Sequence, residues 1–223
     1  MQVSNEKSRI IRSANESNSA FRWYRDFFKR ILDIVISLLG IVVLAIPMLI
    51  IALLIKLDSP REHMLFKQAR VGKDNQVFTI LKFRSMRKDA PHQMATENFE
   101  NPEEYITRIG KIIRKTSLDE LPQLFNVLKG DMSLIGPRPL IPAEKKVLAM
   151  RDEFGASKIL PGITGLAQVH GRDEVTDENK AAYDGKYALN VSLLLDLSIL
   201  FKTIFDVICA SGVHEGRNRG YRK

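Results

Sequence analysis

The sequence predicts a helix-rich α+β fold in which a Pro-broken, re-entrant membrane helix hairpin is fused to a small mixed domain with a β-hairpin and interfacial helices. Three features predict it. Ile34 to Ile55 is a run of 22 uncharged residues, nearly all aliphatic, with Pro47 near its middle. Met64 to Val71 and Gln76 to Phe83 are short alternating runs around Gly72-Lys73-Asp74-Asn75, the pattern of two strands joined by a turn. The remainder shows helical patterns separated by two proline-rich loops, Gly136-Pro137-Arg138-Pro139 and Leu160-Pro161-Gly162.

The apolar run suits a membrane. At 1.5 Å per residue it is about 33 Å long as a helix, against a hydrocarbon core of about 30 Å. It is too long, and starts too far from Met1, for a cleavable signal peptide. Pro47 removes a backbone donor and is expected to kink or break the helix. Basic residues flank both ends: Arg22, Arg25, Lys29 and Arg30 before it, Lys56, Arg61, Lys67 and Arg70 after it. Positive flanks favour the cytoplasmic side, so the two ends of a spanning helix would compete for it. A hairpin entering and leaving by one face removes that conflict, with a kinked single span as the alternative.

Around this segment the chain divides into four parts. Residues 1–20 form a polar, Ser/Asn-rich tail, expected to be flexible. Residues 21–60 form the membrane-interface and re-entrant segment, residues 61–212 one domain, and residues 213–223 a basic tail. Within the domain, helical patterns run near Glu103 to Ile113, from about Ser117 to Leu128, and from Ala143 to Phe154. Leu193 to Ile208 is apolar but broken by Asp196, Ser198, Lys202, Thr203 and Asp206, which suits a core or interfacial helix better than a second span.

A net charge of +8 and a pI near 9.6 point to an anionic partner: lipid headgroups, phosphorylated substrates or nucleic acid. The basic residues that are candidates for phosphate contact sit beside Gly, Pro and carboxylates rather than interleaved with exposed aromatics, which argues against nucleic acid. The lone Cys209 rules out an internal disulfide, and the scattered His63, His92, His170 and His214 leave no Cys/His zinc cluster.

The densest chemistry lies in Arg114-Lys115-Thr116-Ser117-Leu118-Asp119-Glu120-Leu121-Pro122-Gln123-Leu124. Its plainest reading is structural, with Ser117 and Glu120 as a capping box and Asp119 a first-turn carboxylate. The functional reading is an Asp-Glu pair that binds a hard divalent cation and supplies a nucleophile toward phosphorus. A diphosphate substrate then requires cations, for which Lys67, Arg70, Arg114, Arg138 and Arg172 are available. Arg138 stands out because prolines on both sides restrict its backbone. The glycines of Pro161 to Arg172 permit close backbone approach to a phosphate or simply turn the chain.

These motifs resemble the bacterial sugar transferase family, the monotopic polyprenyl-phosphate phosphoglycosyl transferases, in its short form. The resemblance runs from about Lys29 to Ile208. It rests on Phe66 to Gly72, Arg114 to Gln123, Leu134 to Pro139 and Pro161 to Arg172, in that order behind the proline-interrupted apolar run. The chain departs from the family where Ile46 precedes Pro47, where Asp173 follows Arg172, and at Asn190.

The resemblance implies a Mg²⁺-dependent enzyme in which Asp119 attacks the β-phosphate of a UDP-sugar. UMP is released, and the covalent phosphosugar then passes to polyprenyl phosphate. It implies Glu120 as metal ligand or proton acceptor, and Lys67, Arg114, Arg138 and Arg172 as phosphate or nucleotide ligands. Arg70 lies in the first of the four motifs. Membrane lipids would be a further partner, at the cytoplasmic face of the bacterial inner membrane. Two alternatives remain at this level: a lipid phosphatase using the same carboxylates, and a membrane-anchored adaptor.

Overall fold

One long helix sets the frame. In the computed structural model, which describes residues 23–91, 102–171 and 176–209, a π-helical turn (Tyr24–Phe28) runs directly into helix α1 (Lys29–Asp58). The tails over 1–20 and 213–223, and most of the loop after Asp89, lie outside the described residues. α1 stays helical through Pro47, so the expected break is corrected: no interruption of secondary structure occurs there. A proline forfeits one hydrogen bond, here to the Val43 carbonyl, and the bonds on either side can carry the helix past it.

α1 has two unlike sides. Asp33, Ser37, Met48, Ile51 and Ile55 are buried, and Gly40, Ile41 and Leu44 fall on the same stripe at spacings of three and four. The outer side presents Val42, Val43, Ile46 and Leu49 at 67–73% exposure. An uninterrupted apolar face of this kind is foreign to a surface bathed in water. Tyr24–Asp58 is accordingly the one described helical segment long and apolar enough to cross a membrane by length and composition.

The inner stripe docks on the domain along most of its length. Met48, Ile51 and Ile55 pack with Phe83 and Ile113. Asp33 accepts a bond from the Leu134 amide at 3.0 Å. Arg30 donates to the carbonyls of Val127 and Leu128 at 2.7 and 3.1 Å, closing off the last turn of helix α3 (Gln123–Lys129). Lys29 pairs with Asp196 at 2.7 Å. Two of the flanking cations therefore serve tertiary structure, not only topology.

The hairpin forms as the alternation requires. β1 (Leu65–Val71) pairs antiparallel with β2 (Val77–Phe83), Leu65 opposite Phe83 and Val71 opposite Val77. Its tip places Asp74 and Asn75 at φ 54 and 59, a conformation these two residue types tolerate. Helix α2 (Arg108–Lys115) follows, capped by the Thr107 side chain on the Gly110 amide, then a 3₁₀ turn (Leu118–Glu120) and α3.

α3 is tied to β2 by one side chain. Asn126, 2% exposed, accepts from the Leu81 amide at 2.9 Å and donates to the Thr79 carbonyl at 2.8 Å, as a neighbouring strand would.

The second half was less legible. β3 (Ser133–Ile135) and β4 (Gly162–Thr164) form a small parallel pair that the sequence did not announce. A Cβ on Gly136, Gly162 or Gly165 would strike backbone of the facing segment, so these glycines serve chain-on-chain packing. Helix α4 (Lys145–Glu153) matches its pattern, as does α6 (Leu193–Ile208). Between them α5 (Asp177–Leu189) went unread, because it docks through Ala181, Gly185 and Ala188 rather than large aliphatics. Ile135, Leu166, Val169, Tyr187, Val191 and Ile199 form the core here. α6 turns Asp196, Ile199 and Thr203 inward and leaves Leu194, Phe201 and Phe205 exposed.

Asn126→Leu tests the strand mimicry. It orphans the Leu81 amide and the Thr79 carbonyl, so a loss on the order of 2–4 kcal/mol is expected. It would be read as a lowered thermal midpoint in nanodiscs; an unchanged midpoint would show that the two bonds carry no stability.

Candidate active site

The turn that bears the carboxylates is built by strain at one residue. Ser117 sits in the left-handed region at φ 55, unusual for a residue with a Cβ, and reverses the chain out of α2. It makes no side-chain cap, and the Glu120 carboxylate turns away to Lys82 at 2.7 Å. The capping box is therefore not formed, which removes the structural explanation of this motif. Asp119 faces inward at 8% exposure, while Glu120 is half-buried.

Cations from separate segments converge on the pair. Lys82 comes from β2, Arg114 from the last turn of α2, and Arg138 from the loop after β3, its guanidinium 3.9 Å from Glu120. Burial pushes the Asp119 carboxyl up to about 6, with Glu120 adding to the rise, while Lys82, Arg114 and Arg138 oppose it. A buried carboxylate held near neutrality among cations is a frequent mark of a functional group. Lys82 was missed by sequence reasoning. The signal available was its strand register, which sets it opposite Phe66 and on the face shared with Arg70.

The Arg138 loop is harnessed at four successive carbonyls. Pro137 accepts from the Gly162 amide at 2.8 Å and Arg138 from the Arg151 side chain at 2.7 Å. Pro139 accepts from the Arg70 side chain at 3.1 Å and Leu140 from the Val71 amide at 2.8 Å. The Arg138 side chain itself stays 49% exposed, open to a ligand.

The structure distributes the sequence-predicted residues unevenly. It brings together Asp119, Glu120, Arg114 and Arg138. Arg70 is engaged with Gln68 and the Pro139 carbonyl, and burial, with Arg138 next in effect, draws its guanidinium down to about 10. Lys67 is exposed and, by strand alternation, on the face opposite Lys82 and Arg70. Arg172 lies outside the described residues. His170 is held by the Leu166 carbonyl and stacks on Tyr183, which makes it part of the loop's structure.

A divalent cation would find two carboxylates here, with no third His, Cys, Asp or Glu gathered to them among the described residues. That donor set fits Mg²⁺, which binds through one or two carboxylates plus substrate phosphates and water.

Comparison with known proteins settles the family. The sequence model described as bacterial sugar transferase matches residues 24–210. The chain belongs to the bacterial sugar transferase family. Among its relatives within and around that family, the UDP-N-acetylgalactosamine-undecaprenyl-phosphate N-acetylgalactosaminephosphotransferase of Aeromonas hydrophila is 43% identical over 197 residues, covering 83% of this chain and 45% of that protein. The UDP-galactose-lipid carrier transferase of Erwinia amylovora is 39% identical over 213 residues, 89% of this chain and 44% of that protein. The exopolysaccharide production protein ExoY of Sinorhizobium fredii is 34% identical over 210 residues, 88% of this chain and 92% of that protein. The chain thus spans about half the length of the first two relatives and nearly all of the third.

The raised Asp119 carboxyl has a stability consequence. Above pH 6 the folded protein holds a charge that burial disfavours, and the unfolded chain, titrating near 4, does not. Asp119→Asn is therefore expected to stabilise metal-free protein at pH 7.5, by on the order of 1–3 kcal/mol. The gain should fade as pH falls from 6 towards 4 and vanish below about 4, where wild-type Asp119 is protonated in both states. Thermal midpoints in chelator-containing buffer read this; a destabilised variant at pH 7.5 would contradict it.

Proposed function

We propose that the protein transfers a sugar 1-phosphate from a UDP-sugar to a polyprenyl phosphate such as undecaprenyl phosphate, releasing UMP. The observation that carries this reading is Asp119: a buried carboxylate, kept near its titration point, facing Lys82, Arg114 and Arg138 in a domain docked on an apolar helix. The relatives' names supply the substrate classes, with undecaprenyl phosphate and a UDP-sugar in one and a lipid carrier in another.

In the first step an Asp119 carboxylate oxygen bonds to the β-phosphorus of the donor. The bond between that phosphorus and the bridging oxygen breaks, and UMP departs with the electron pair. In the second, a phosphate oxygen of the polyprenyl phosphate attacks the same phosphorus and Asp119 leaves as carboxylate. The product is a polyprenyl-diphosphate-sugar, the class of lipid on which exopolysaccharide, capsule, O-antigen or glycoprotein glycan assembly starts.

Arg138 and Arg114 neutralise charge on the phosphoryl oxygens, and Lys82 orients Glu120. Arg70 holds the Arg138 loop in place. Asp119 and Glu120 would hold Mg²⁺ together with donor phosphate oxygens, and the ion supplies further neutralisation of the diphosphate.

The same reading places both ends of α1 on the cytoplasmic side of the inner membrane. The docked stripe from Asp33 to Ile55 covers about 33 Å of helix axis. A perpendicular span of that length would draw the charged domain packed on it into hydrocarbon, at a cost of several kcal/mol for each unsatisfied group. A helix inserted from one face keeps the domain at the surface while its outer side meets lipid. The exposed apolar residues of α6 extend that lipid-facing surface.

Two experiments test this reading. Sustained UMP turnover should require both a UDP-sugar and undecaprenyl phosphate, while donor alone should release no more than about one UMP per polypeptide and leave the radiolabelled sugar phosphate trapped on it. Asp119→Asn should stay folded and lose UMP release by on the order of a thousandfold or more. Inorganic phosphate release in place of UMP would indicate a phosphatase, and wild-type turnover in the variant would exclude Asp119 as nucleophile. For topology, cysteines introduced at Arg25 and Arg61 in a Cys209→Ser background should both label from the cytoplasmic side. Labelling from opposite sides would replace one-face insertion with a span.

A further inference from the structure

Arg151 lies on α4 and reaches the site through backbone alone. One terminal nitrogen of its guanidinium donates to the Arg138 carbonyl at 2.7 Å. The other stands 2.6 Å from the Asp184 carboxylate of α5, the two side chains only 9% and 1% exposed. Such a pair is a poor source of stability, because desolvating two charges costs as much as their attraction returns. Burial indeed pushes the Asp184 carboxyl up, with Arg151 opposing. Its retention in the interior calls for a geometric reason.

The loop supplies that reason. Pro137 and Pro139 fix their own φ and restrict ψ of the residue before each, so the Arg138 backbone is narrowed on both sides. A bond to the Arg138 carbonyl pins the peptide between Arg138 and Pro139, and with it the Cα from which the guanidinium extends towards Glu120. Among the four harnessed carbonyls, this is the one belonging to the residue whose side chain faces the carboxylates. A guanidinium is suited to the task, since one arm can donate to the Arg138 carbonyl while its charge stays paired with Asp184.

We propose that Arg151, braced by Asp184, is a positioning residue that aims Arg138 at the phosphate of the sugar donor. The inference rests on the transferase reading above, in which Arg138 meets donor phosphate. Arg151 binds no substrate itself; it fixes the peptide that carries the residue that does.

Arg151→Lys is the first test, because it keeps a cation beside Asp184 and replaces the fork by a single nitrogen. The variant is expected to keep the wild-type thermal midpoint while donor KM rises about tenfold or more. Its KM-against-kcat pattern should match that of Arg138→Gln. A purely structural loss would instead lower kcat, through a smaller active fraction, at unchanged KM.

The double variant Arg151→Lys with Arg138→Gln should be no worse than Arg138→Gln alone, since the strut has nothing left to aim. Losses that multiply, or a wild-type donor KM in Arg151→Lys, overturn the proposal. If the lysine variant unfolds, Arg151→Met with Asp184→Leu removes both buried charges together, and the same cycle against Arg138→Gln decides. Wild-type UMP release by Arg138→Gln would defeat the transferase reading of this loop. An impaired Arg138→Gln with multiplying losses would defeat the strut alone.

Discussion

A carboxylate withdrawn from water must be compensated by positive charge, and around Asp119 that charge arrives from three segments far apart in sequence. Lys82 lies on β2, Arg114 at the end of α2 and Arg138 beyond β3. Each would drift on its own segment, and a free cation would be better solvated elsewhere. The scaffold is therefore a set of ties that make drift costly. Asn126 imitates a strand to hold α3 against β2 one residue from Lys82. The left-handed Ser117 turns Asp119 inward. The net result is compensation that falls short, so that Asp119 remains above the ordinary carboxylate range. Full neutralisation would give an inert ion pair. A partial one leaves a group that responds to the charge of whatever arrives beside it.

The second constraint is the conflict between an apolar helix and a charged domain. α1 resolves it by being amphipathic in a particular sense: one side apolar and exposed, the other apolar and polar by turns toward protein. Ser37 and Gly40 let α3 approach closely, and Asp33 and Arg30 reach backbone groups of the domain. Small residues and hydrogen bonds of this type join the apolar contacts of Met48, Ile51 and Ile55 in holding the helix to the domain.

How much of this was legible depended on the range of the interaction. The apolar run, the hairpin and α6 are written in local periodicity; the bounds of the hairpin and α6 emerged within a residue or two, while α1 runs past the apolar run to Lys29 and Asp58. The carboxylate pair was legible as a motif, but its meaning was balanced against a capping box that only the geometry of Ser117 and Glu120 could dismiss. Lys82 was invisible, since nothing in a strand's own sequence says which distant carboxylate it will meet. The β3/β4 pair is set by glycines packing backbone on backbone, and α5 by alanine and glycine contacts, neither of which registers as hydrophobic pattern. At Pro47 the backbone stays helical, so one lost hydrogen bond does not interrupt the secondary structure there.

The membrane segment and the reactive loop also share an anchor away from the carboxylates. Asp196 of α6, buried, receives the Tyr24 hydroxyl and the Lys29 ammonium at one oxygen and the Tyr187 hydroxyl at the other. Tyr187 stands also 3.0 Å from the Ile135 carbonyl, yet a hydroxyl has one proton to give. Burial and the Asp196 charge both push the Tyr187 phenol upward, so it stays protonated and divides its proton between two acceptors. Ile135 immediately precedes the glycine at which the loop bearing Arg138 begins. The first turns of the apolar helix, α5, α6 and β3 thus meet at a single carboxylate. A shift of the helix relative to the domain would have to break charge-assisted bonds in a largely buried site, where each is worth more than at the surface. The position of the helix and the placement of the loop are consequently not independent variables, and the site is held at a fixed distance from the apolar helix.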